Sequence, residues 1–175
     1  MADETTVLMF IPGIKGSSTL VGLDPGDDGS HEEWIPVTSC SFGITRRSTS
    51  ADAKDEGDSQ ATHPTSVEAL EVERSADRTS ADLLTWLASK EERERRKDKV
   101  LIDYCTASGR YFLRYELERV EIVSSKMGFR HPDDLSETIT LTYRHITIRN
   151  RPIGLDGQVQ VGREQRAEYT VYKEQ

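Results

Sequence analysis

The sequence predicts a mainly β protein, an antiparallel barrel or sandwich of six or seven strands with one helix at its side. Segments rich in β-branched and aromatic residues recur between turn residues, and only one segment has the periodicity of a helix. At 175 residues the chain is long enough for one domain with its own core. A single domain over residues 1–175 is therefore expected.

The first third of the chain alternates between strands and polar loops. A first strand at residues 5–11 is stopped by Pro12 and Gly13, and a turn-rich loop leads to a second strand at 34–44. Residues 46–64 contain no large apolar side chain, so on their own they cannot bury enough surface to offset the entropy of ordering. They are predicted to form an extended polar loop before a third strand at 66–75.

The only strong helix signal spans residues 80–97 approximately. Thr79 or Ser80 is the expected N-cap, with Asp82 near the first-turn amides. Beyond Ser89 nearly all residues are charged, so this half of the helix is predicted to be solvated. The apolar side of the first two turns consists of Leu83, Leu84 and Leu87.

The remainder of the chain reads as a meander of antiparallel strands. The predicted elements are strands at 99–107, 110–125 and 138–150, a turn at 108–109, a polar connection at 126–137 and a short final strand at 167–173.

The strand at 110–125 changes phase halfway along. Its apolar residues occupy odd positions up to Leu117 but even positions at Val120 and Ile122, and the strand at 138–150 changes phase in the same way at Arg144 and His145. When the two strands are paired as a hairpin, the interruptions lie roughly opposite each other. Either both strands bend at a barrel corner, or both of their faces are covered, one of them by a neighbouring subunit; the two explanations are compatible.

Composition limits the possible functions. Apolar residues make up 35% of the chain, charged residues 31%, and the net charge is −8, which argues against binding to nucleic acid. No apolar run approaches the roughly 20 residues that cross a bilayer, and the acidic N-terminus does not resemble a signal peptide. Synthesis in the cytoplasm without general secretory export is expected. Cys40 and Cys105 are expected to be reduced and mostly buried.

Signals for catalysis or metal binding are weak. The four histidines lack metal-ligand spacing, and neither HExxH nor GxSxG occurs. Residues 12–18 lack the spacing of a phosphate loop, and residues 24–29 lack the ligands of a calcium loop. The sequence therefore predicts no catalytic, cofactor-binding or metal-binding residue.

Six stretches in collinear order resemble the haemolysin-coregulated protein (Hcp) family, the tube subunit of bacterial type VI secretion systems. The most specific are "YELERVEIVSSKM" and "SETITLTYRHITI", which resemble the family's two long adjacent strands, with Ser-Ser ending the first and Glu-Thr opening the second. The other four are "FIPGIKGSS", "HEEWIPVTSCSFGIT", "SVEALEVERSAD" and "TSADLLTWLAS".

The resemblance implies an antiparallel β-barrel of two sheets with one flanking α-helix, similar to a phage tail tube. It also implies hexameric rings that stack into a hollow conduit, carry effectors, and leave the cell through the type VI machinery without a signal peptide. The expected partners are other copies of the chain, other type VI components and effectors, with no cofactor, nucleic acid or membrane.

Three hypotheses follow for function. The first is a self-assembling tube subunit without an active site. The second is a monomeric binding or adaptor module that uses the acidic loop or the basic helix tail, and the third is an enzyme with a carboxylate site that includes Asp24, Asp27 and Asp28. Molecular mass separates the first two, and metal titration tests the third.

Two sets of residues are predicted. The core is expected to contain Val7, Met9, Ile35, Val37, Leu70, Val72, Leu83, Leu87, Ile102, Leu113, Leu117 and Leu141. Contacts between subunits are expected from loop 46–64 and from charged residues on the two long strands. The candidates are Arg46, Arg47, Asp52, Lys54 and Asp55 in the loop, and Arg114, Glu116, Glu118, Arg119 and Arg144 on the strands.

Overall fold

The computed structural model describes residues 5–21, 30–46, 65–131 and 134–171. The strands are β1 (Thr6–Phe10), β2 (Ile35–Val37), β3 (Ser39–Ser41), β4 (Ile44–Arg46), β5 (Thr65–Val67), β6 (Leu70–Ser75), β7 (Arg96–Cys105), β8 (Tyr111–His131), β9 (Asp134–Thr142), β10 (His145–Asn150) and β11 (Gln165–Thr170). The helices are α1 (Thr79–Ala88) and α2 (Glu92–Arg95), with a single 3-10 turn at Val161–Arg163.

The strands form two antiparallel sheets. The large sheet has the order β2-β1-β7-β8-β9-β6-β3, with β10 on β8 and β11 on β10, and the small sheet pairs β4 with β5. The two end strands of the large sheet, β2 and β3, are separated in the chain only by Thr38. The Thr38 N–H donates to the Glu73 carbonyl at 2.8 Å. The sheet therefore curls until its ends meet at Thr38, although β2 and β3 share no ladder. The predicted mainly β fold of two sheets with a helix at its side is confirmed.

The main core lies inside this curled sheet and beneath α1. Nine of the twelve predicted core residues are buried: Met9, Ile35, Val37, Leu70, Val72, Leu83, Ile102, Leu117 and Leu141. Val7 and Leu87 are half-buried against the core, and Leu113 is half-buried. The core also contains buried residues that were not predicted, among them Trp86, Val120, Ile139 and Ile146.

The helical region is shorter than predicted. α1 ends at Ala88, α2 has four residues, and Arg96 already belongs to β7, so the helix expected at 80–97 is wrong in its second half. Arg96 bonds across the sheet to Glu121 at 3.0 Å, so strand pairing prevails over the weak helical charge pairs of the tail.

The start of α1 also differs from the prediction. Neither Thr79 nor Ser80 is the cap, because the Asp77 carboxylate accepts the Thr79 N–H at 2.7 Å, while Ser80 Oγ accepts the Asp77 N–H at 3.3 Å. Leu84 is exposed, and Trp86 occupies the buried side of the helix instead. Its indole N–H donates to the Arg95 carbonyl at 2.7 Å.

Three predicted strands are divided, and one predicted loop is a strand. The second predicted strand becomes β2, β3 and β4, the third becomes β5 and β6, and that at 138–150 becomes the end of β9 and β10. Most of the expected connection at 126–137 continues β8 and β9, with Lys126 opposite Thr138 and Phe129 opposite Leu135. Residues 132–133 lie outside the described ranges.

The phase change comes from a bend in β8. Arg119 has a φ of 54°, and at this point β8 exchanges β10 for β9 as its partner, since Glu118 lies opposite His145 but Glu121 lies opposite Thr142. The two interruptions are therefore opposite each other, and the bend explains them.

The outer face of the first half of β8 is covered by the chain itself. Leu8, Trp34, Cys105 and Tyr111 form a second apolar cluster there. The described part of the chain has no helix long and apolar enough to cross a membrane.

Candidate assembly surface and two buried charged clusters

The first buried cluster docks α1 onto the sheet, and we call it the helix-docking cluster: Arg74, Asp77, Ser80, Ser125 and Glu137. Arg74 donates to Glu137 Oε2 at 2.8 Å, and the side chains of both residues are 0% exposed. Ser80 Oγ donates to the same oxygen at 2.8 Å, and Ser125 Oγ donates to Oε1 at 3.0 Å. The cluster therefore joins β6, α1, β8 and β9 through one carboxylate.

This cluster gives a physical reason for part of the sequence signature. The Ser-Ser that ends one stretch contributes Ser125, and the Glu-Thr that opens the next contributes Glu137. Arg74 also pairs with Asp77 at 2.5 Å. Burial alone would raise the pKa of Asp77, but hydrogen bonds from Thr79 and Arg74 outweigh it and hold that pKa below its ordinary value.

The second buried cluster docks the segment around His31 onto the outer face of the sheet. In this loop-docking cluster, formed by His31, Asp103, Cys105 and Arg114, the guanidinium of Arg114 binds Asp103 through two bonds of 2.7 and 2.6 Å. His31 Nε2 lies 2.7 Å from Asp103 Oδ2 and 3.5 Å from Cys105 Sγ. All four residues are buried, so the pairing compensates for the cost of a buried carboxylate.

Three members of this cluster are types that bind metal ions. The ligand atoms of His31, Asp103 and Cys105 lie within 4.8 Å of one another. However, Arg114 already engages both carboxylate oxygens and places a positive charge beside any cation bound there. Burial raises the pKa of the Cys105 thiol to about 12, which disfavours the thiolate that a metal needs. The geometry therefore fits a structural ion pair better than a metal centre.

A charged network extends from the loop-docking cluster to residues 151–164. The Tyr111 ring lies between two guanidinium groups, with Arg114 Cζ 3.9 Å and Arg151 Cζ 3.8 Å from its centroid. Glu164 accepts bonds from Tyr111 Oη at 3.0 Å, Arg151 Nε at 2.8 Å and Arg149 NH1 at 3.0 Å. These bonds outweigh burial, which acts to raise the pKa of Glu164, and leave that pKa below its ordinary value.

The predicted subunit-contact residues fall into three groups. Arg47, Asp52, Lys54 and Asp55 lie outside the described residues, and Arg46 is described only as the end of β4. Arg114 and Glu116 are buried, which corrects the expectation that they are available to a neighbour: Arg114 pairs with Asp103, and Glu116 with Arg149 at 3.3 Å. Glu118, Arg119 and Arg144 are exposed beside the bend, and their role in contacts stays a prediction.

The sequence analysis missed an exposed apolar surface on the arm formed by residues 122–131 of β8 and the part of β9 that pairs with them. Met127 lies opposite the buried Glu137, and Ser125 lies opposite the core residue Ile139. Because side chains alternate along a strand, Met127 and Phe129 lie on the same face of the sheet as the core residues. They extend past the end of the core, and they are 46% and 77% exposed. The alternation of Met127 and Phe129 was the available signal, but the polar character of residues 126–137 led to the prediction of a connection there.

The fold defines a class: a mainly β protein of antiparallel sheets whose helix and outer segment are docked by two buried charged clusters. The chain matches the family model "Type VI secretion system effector, Hcp" over residues 8–149, and it belongs to the Hcp family.

Solved structures show the same fold. The structure of a type six secretion system protein matches with a TM-score of 0.75 and 18% identity over 96% of each chain. Hcp1 from Salmonella typhimurium matches with a TM-score of 0.66 and 19% identity over 95% of this chain and 94% of that chain. A type VI effector from Yersinia pestis matches with a TM-score of 0.63 and 17% identity over 94% and 99%. A sequence search of curated proteins found no match.

Proposed function

We propose that this chain is the structural subunit of a type VI secretion tube, assembling into hexameric rings that stack into a hollow conduit. Membership of the Hcp family supports the type VI context. The proposal includes export through the type VI machinery without a signal peptide, and contacts with other type VI components and with effectors carried inside the tube.

The observation that carries the proposal is the arm of β8 and β9. In the described residues β7 pairs with β8 only as far as Glu121, so beyond this residue the same edge of β8 has no ladder partner. The arm also exposes Met127 and Phe129 on its core-side face. An unpaired edge next to apolar side chains is an aggregation hazard in a solitary domain, and contact with another copy removes it.

The proposal includes no catalytic step. The two buried charged clusters are closed by their own ion pairs, and the chemistry of Arg114 beside Asp103 disfavours a metal. The chain's role is then mechanical, and its specificity lies in its surfaces.

Electron microscopy of the purified protein tests the proposal. Rings with six-fold symmetry, and stacks of such rings at higher concentration, are expected. Isolated particles of single-chain size at high micromolar concentration would contradict the proposal and favour a monomeric binding or adaptor module.

A further inference from the structure

We propose that Met127 is an oxidation site through which the arm is regulated. A hydroperoxide converts the thioether of Met127 to a sulfoxide, and the face of the arm that Met127 shares with Phe129 becomes more polar. This inference rests on the proposed function, in which the arm forms a contact between copies, and it adds a reversible control of that contact.

Met127 is the only methionine that water reaches in the described part of the chain. It is 46% exposed on the arm, whereas Met9 is 0% exposed inside the barrel. Close packing around Met9 keeps a dissolved oxidant away from its sulfur, because oxidation of a side chain follows its exposure. A peroxide in water therefore reaches Met127 first.

The two cysteines do not compete with Met127 for the oxidant. Burial raises the pKa of the Cys40 thiol to about 11 and the pKa of the Cys105 thiol to about 12, so both thiols keep their protons near neutral pH. Peroxides react with the thiolate rather than with the thiol. The thioether of Met127 has no proton to lose, so its reactivity needs no such ionisation.

The reaction needs a hydroperoxide and no other reagent. A lone pair of the Met127 sulfur attacks one peroxide oxygen, the S–O bond forms and the O–O bond breaks. With hydrogen peroxide, the released hydroxide takes the remaining proton and leaves as water. The sulfur is oxidised and the peroxide is reduced, so the step is balanced.

The new oxygen lies where the arm presents its apolar surface. Met127 lies opposite Glu137 on the core-side face, and Phe129 follows two residues later on the same face. The sulfoxide oxygen accepts hydrogen bonds from water, and a contact that covers Met127 has to remove that water at a cost in free energy. Oxidised chains are therefore expected to associate more weakly through the arm.

Oxidation and contact through the arm oppose each other in both directions. A contact that covers Met127 shields its sulfur, and a sulfoxide at Met127 weakens the contact, as thermodynamic linkage requires. The oxidant thus acts on free chains rather than on assembled ones. Because enzymes reduce methionine sulfoxide, the change is reversible and not only damage.

Peptide mass mapping after treatment with hydrogen peroxide tests the site. At a concentration below that of assembly, Met127 should gain one oxygen atom while Met9 and both cysteines remain unchanged, and Met9 should react once urea unfolds the chain. The mapping also separates Met127 from Met1, which lies outside the described residues. If Met9 or either cysteine is oxidised as fast as Met127 in the folded chain, the selectivity is wrong.

Sedimentation velocity tests the regulation. Treated chain should associate about tenfold more weakly than untreated chain, and reduction by methionine sulfoxide reductase should restore the association. Met127→Leu keeps a similar apolar volume without sulfur, so it should assemble before and after treatment. Equal loss of assembly in treated Met127→Leu would show that another residue is responsible.

A second methionine position supplies the matched control. Leu84 is 42% exposed on α1, outside the arm, so Leu84→Met combined with Met127→Leu moves the accessible thioether to position 84. Peroxide should oxidise that position without weakening assembly. If assembly is lost as in the treated unmodified chain, the effect does not depend on the arm and the inference is wrong.

Failure of this inference is distinct from failure of the proposed function. If treated chain with a sulfoxide at Met127 assembles as well as untreated chain, the regulation is wrong while the proposed function stands. If the untreated chain stays a single chain at every concentration, the proposed function is wrong and the regulation falls with it, and peptide mapping still decides whether Met127 is the reactive sulfur.

Discussion

Arg74 and Arg114 are guanidinium groups buried in different parts of the barrel, each opposite a carboxylate with 0% side-chain exposure. Burying either charge alone costs several kcal/mol, and its partner repays that cost only while both are present. Each pair therefore makes the one arrangement that brings both charges together much lower in free energy than arrangements that leave a charge buried alone. The first fixes α1 on the sheet, and the second fixes the segment around His31.

Replacing Arg74 by Met should lower the free energy of unfolding by about 3–5 kcal/mol, because Glu137 is left buried without its cation. Urea denaturation monitored by circular dichroism measures the change. The double variant Arg74→Met with Glu137→Leu should recover most of the loss, since it removes both charges.

Lys15→Met is the control for this prediction. Lys15 pairs with Glu33 at 3.0 Å, but the two side chains are 73% and 53% exposed, so the urea midpoint should barely move. An Arg74→Met variant as stable as Lys15→Met would contradict the account of the helix-docking cluster.

Acid should destabilise the protein partly through Glu164. Its pKa is held below the ordinary value of 4.5 in the folded chain, so its contribution is fully present above that pH and is lost as pH falls through the folded value. Glu164→Gln removes this contribution. Its melting temperature should be lower at pH 7 and should fall less steeply than that of the unmodified chain between pH 5 and 3. Parallel curves for the two proteins would show that Glu164 is not coupled to folding.

Residue-level prediction placed most core side chains of the strands correctly, but it did not foresee that Arg114 and Glu116 are buried. Met9, Ile102 and Leu117 follow strand alternation, so the sequence places them in the core. Arg114 and Glu116 were expected at a subunit contact because they alternate with apolar residues, but nothing local shows that Asp103 and Arg149 of the same chain pair with them. His31 and Asp103 are 72 positions apart, and only the fold brings them together.

At the scale of elements, β8 organises the molecule. It spans 21 residues, pairs with three other strands and bends at Arg119, where the phase of its apolar residues changes. Because of the bend, the same strand contributes Tyr111 to the outer apolar cluster at its beginning and forms the arm with β9 at its end.

Arg119 is a non-glycine residue with a positive φ, which costs roughly 1 kcal/mol or more. Arg119→Gly should therefore leave the free energy of unfolding unchanged or raise it by up to about 1 kcal/mol, while Arg119→Val should lower it by about 1 kcal/mol or more. Urea denaturation of both variants measures this.

Glu118→Gly is the matched control, one residue earlier in the same strand. Glycine should destabilise the strand there by roughly 0.5–1 kcal/mol, because Glu118 has no positive φ to relieve. If glycine destabilises equally at the two positions, the bend at Arg119 is not a strained feature.

Element boundaries were predictable only where local chemistry decides them. The turn at Gly109, with its φ of 80°, and the end of β1 at Phe10 agree with the sequence signals. The helix was extended too far because its charge pairs suit a helix in isolation, whereas Arg96 gains a cross-strand partner in Glu121 that only tertiary structure supplies.

At the scale of the whole molecule, the chain covers part of its own apolar surface and leaves part open. The outer face near Tyr111 is covered by Trp34, Arg151 and Glu164 of the same chain, so a neighbouring subunit is not needed there. The arm of β8 and β9 remains exposed, and the proposed contact between copies lies there.

Glu118→Lys tests the lateral contacts expected at the bend. Glu118 is exposed beside Arg119 and Arg144, so reversing its charge should weaken ring assembly by removing a complementary charge, while the single chain stays folded. Light scattering measures assembly, and circular dichroism measures folding. Unchanged assembly would show that Glu118 does not face a neighbour.

The mass of the unmodified protein in solution tests the central claim most directly. Analytical ultracentrifugation at tens of micromolar and physiological salt should give a species of about six times the 19.7 kDa chain, with larger multiples at higher concentration. A single species at the mass of one chain across that range would contradict the account.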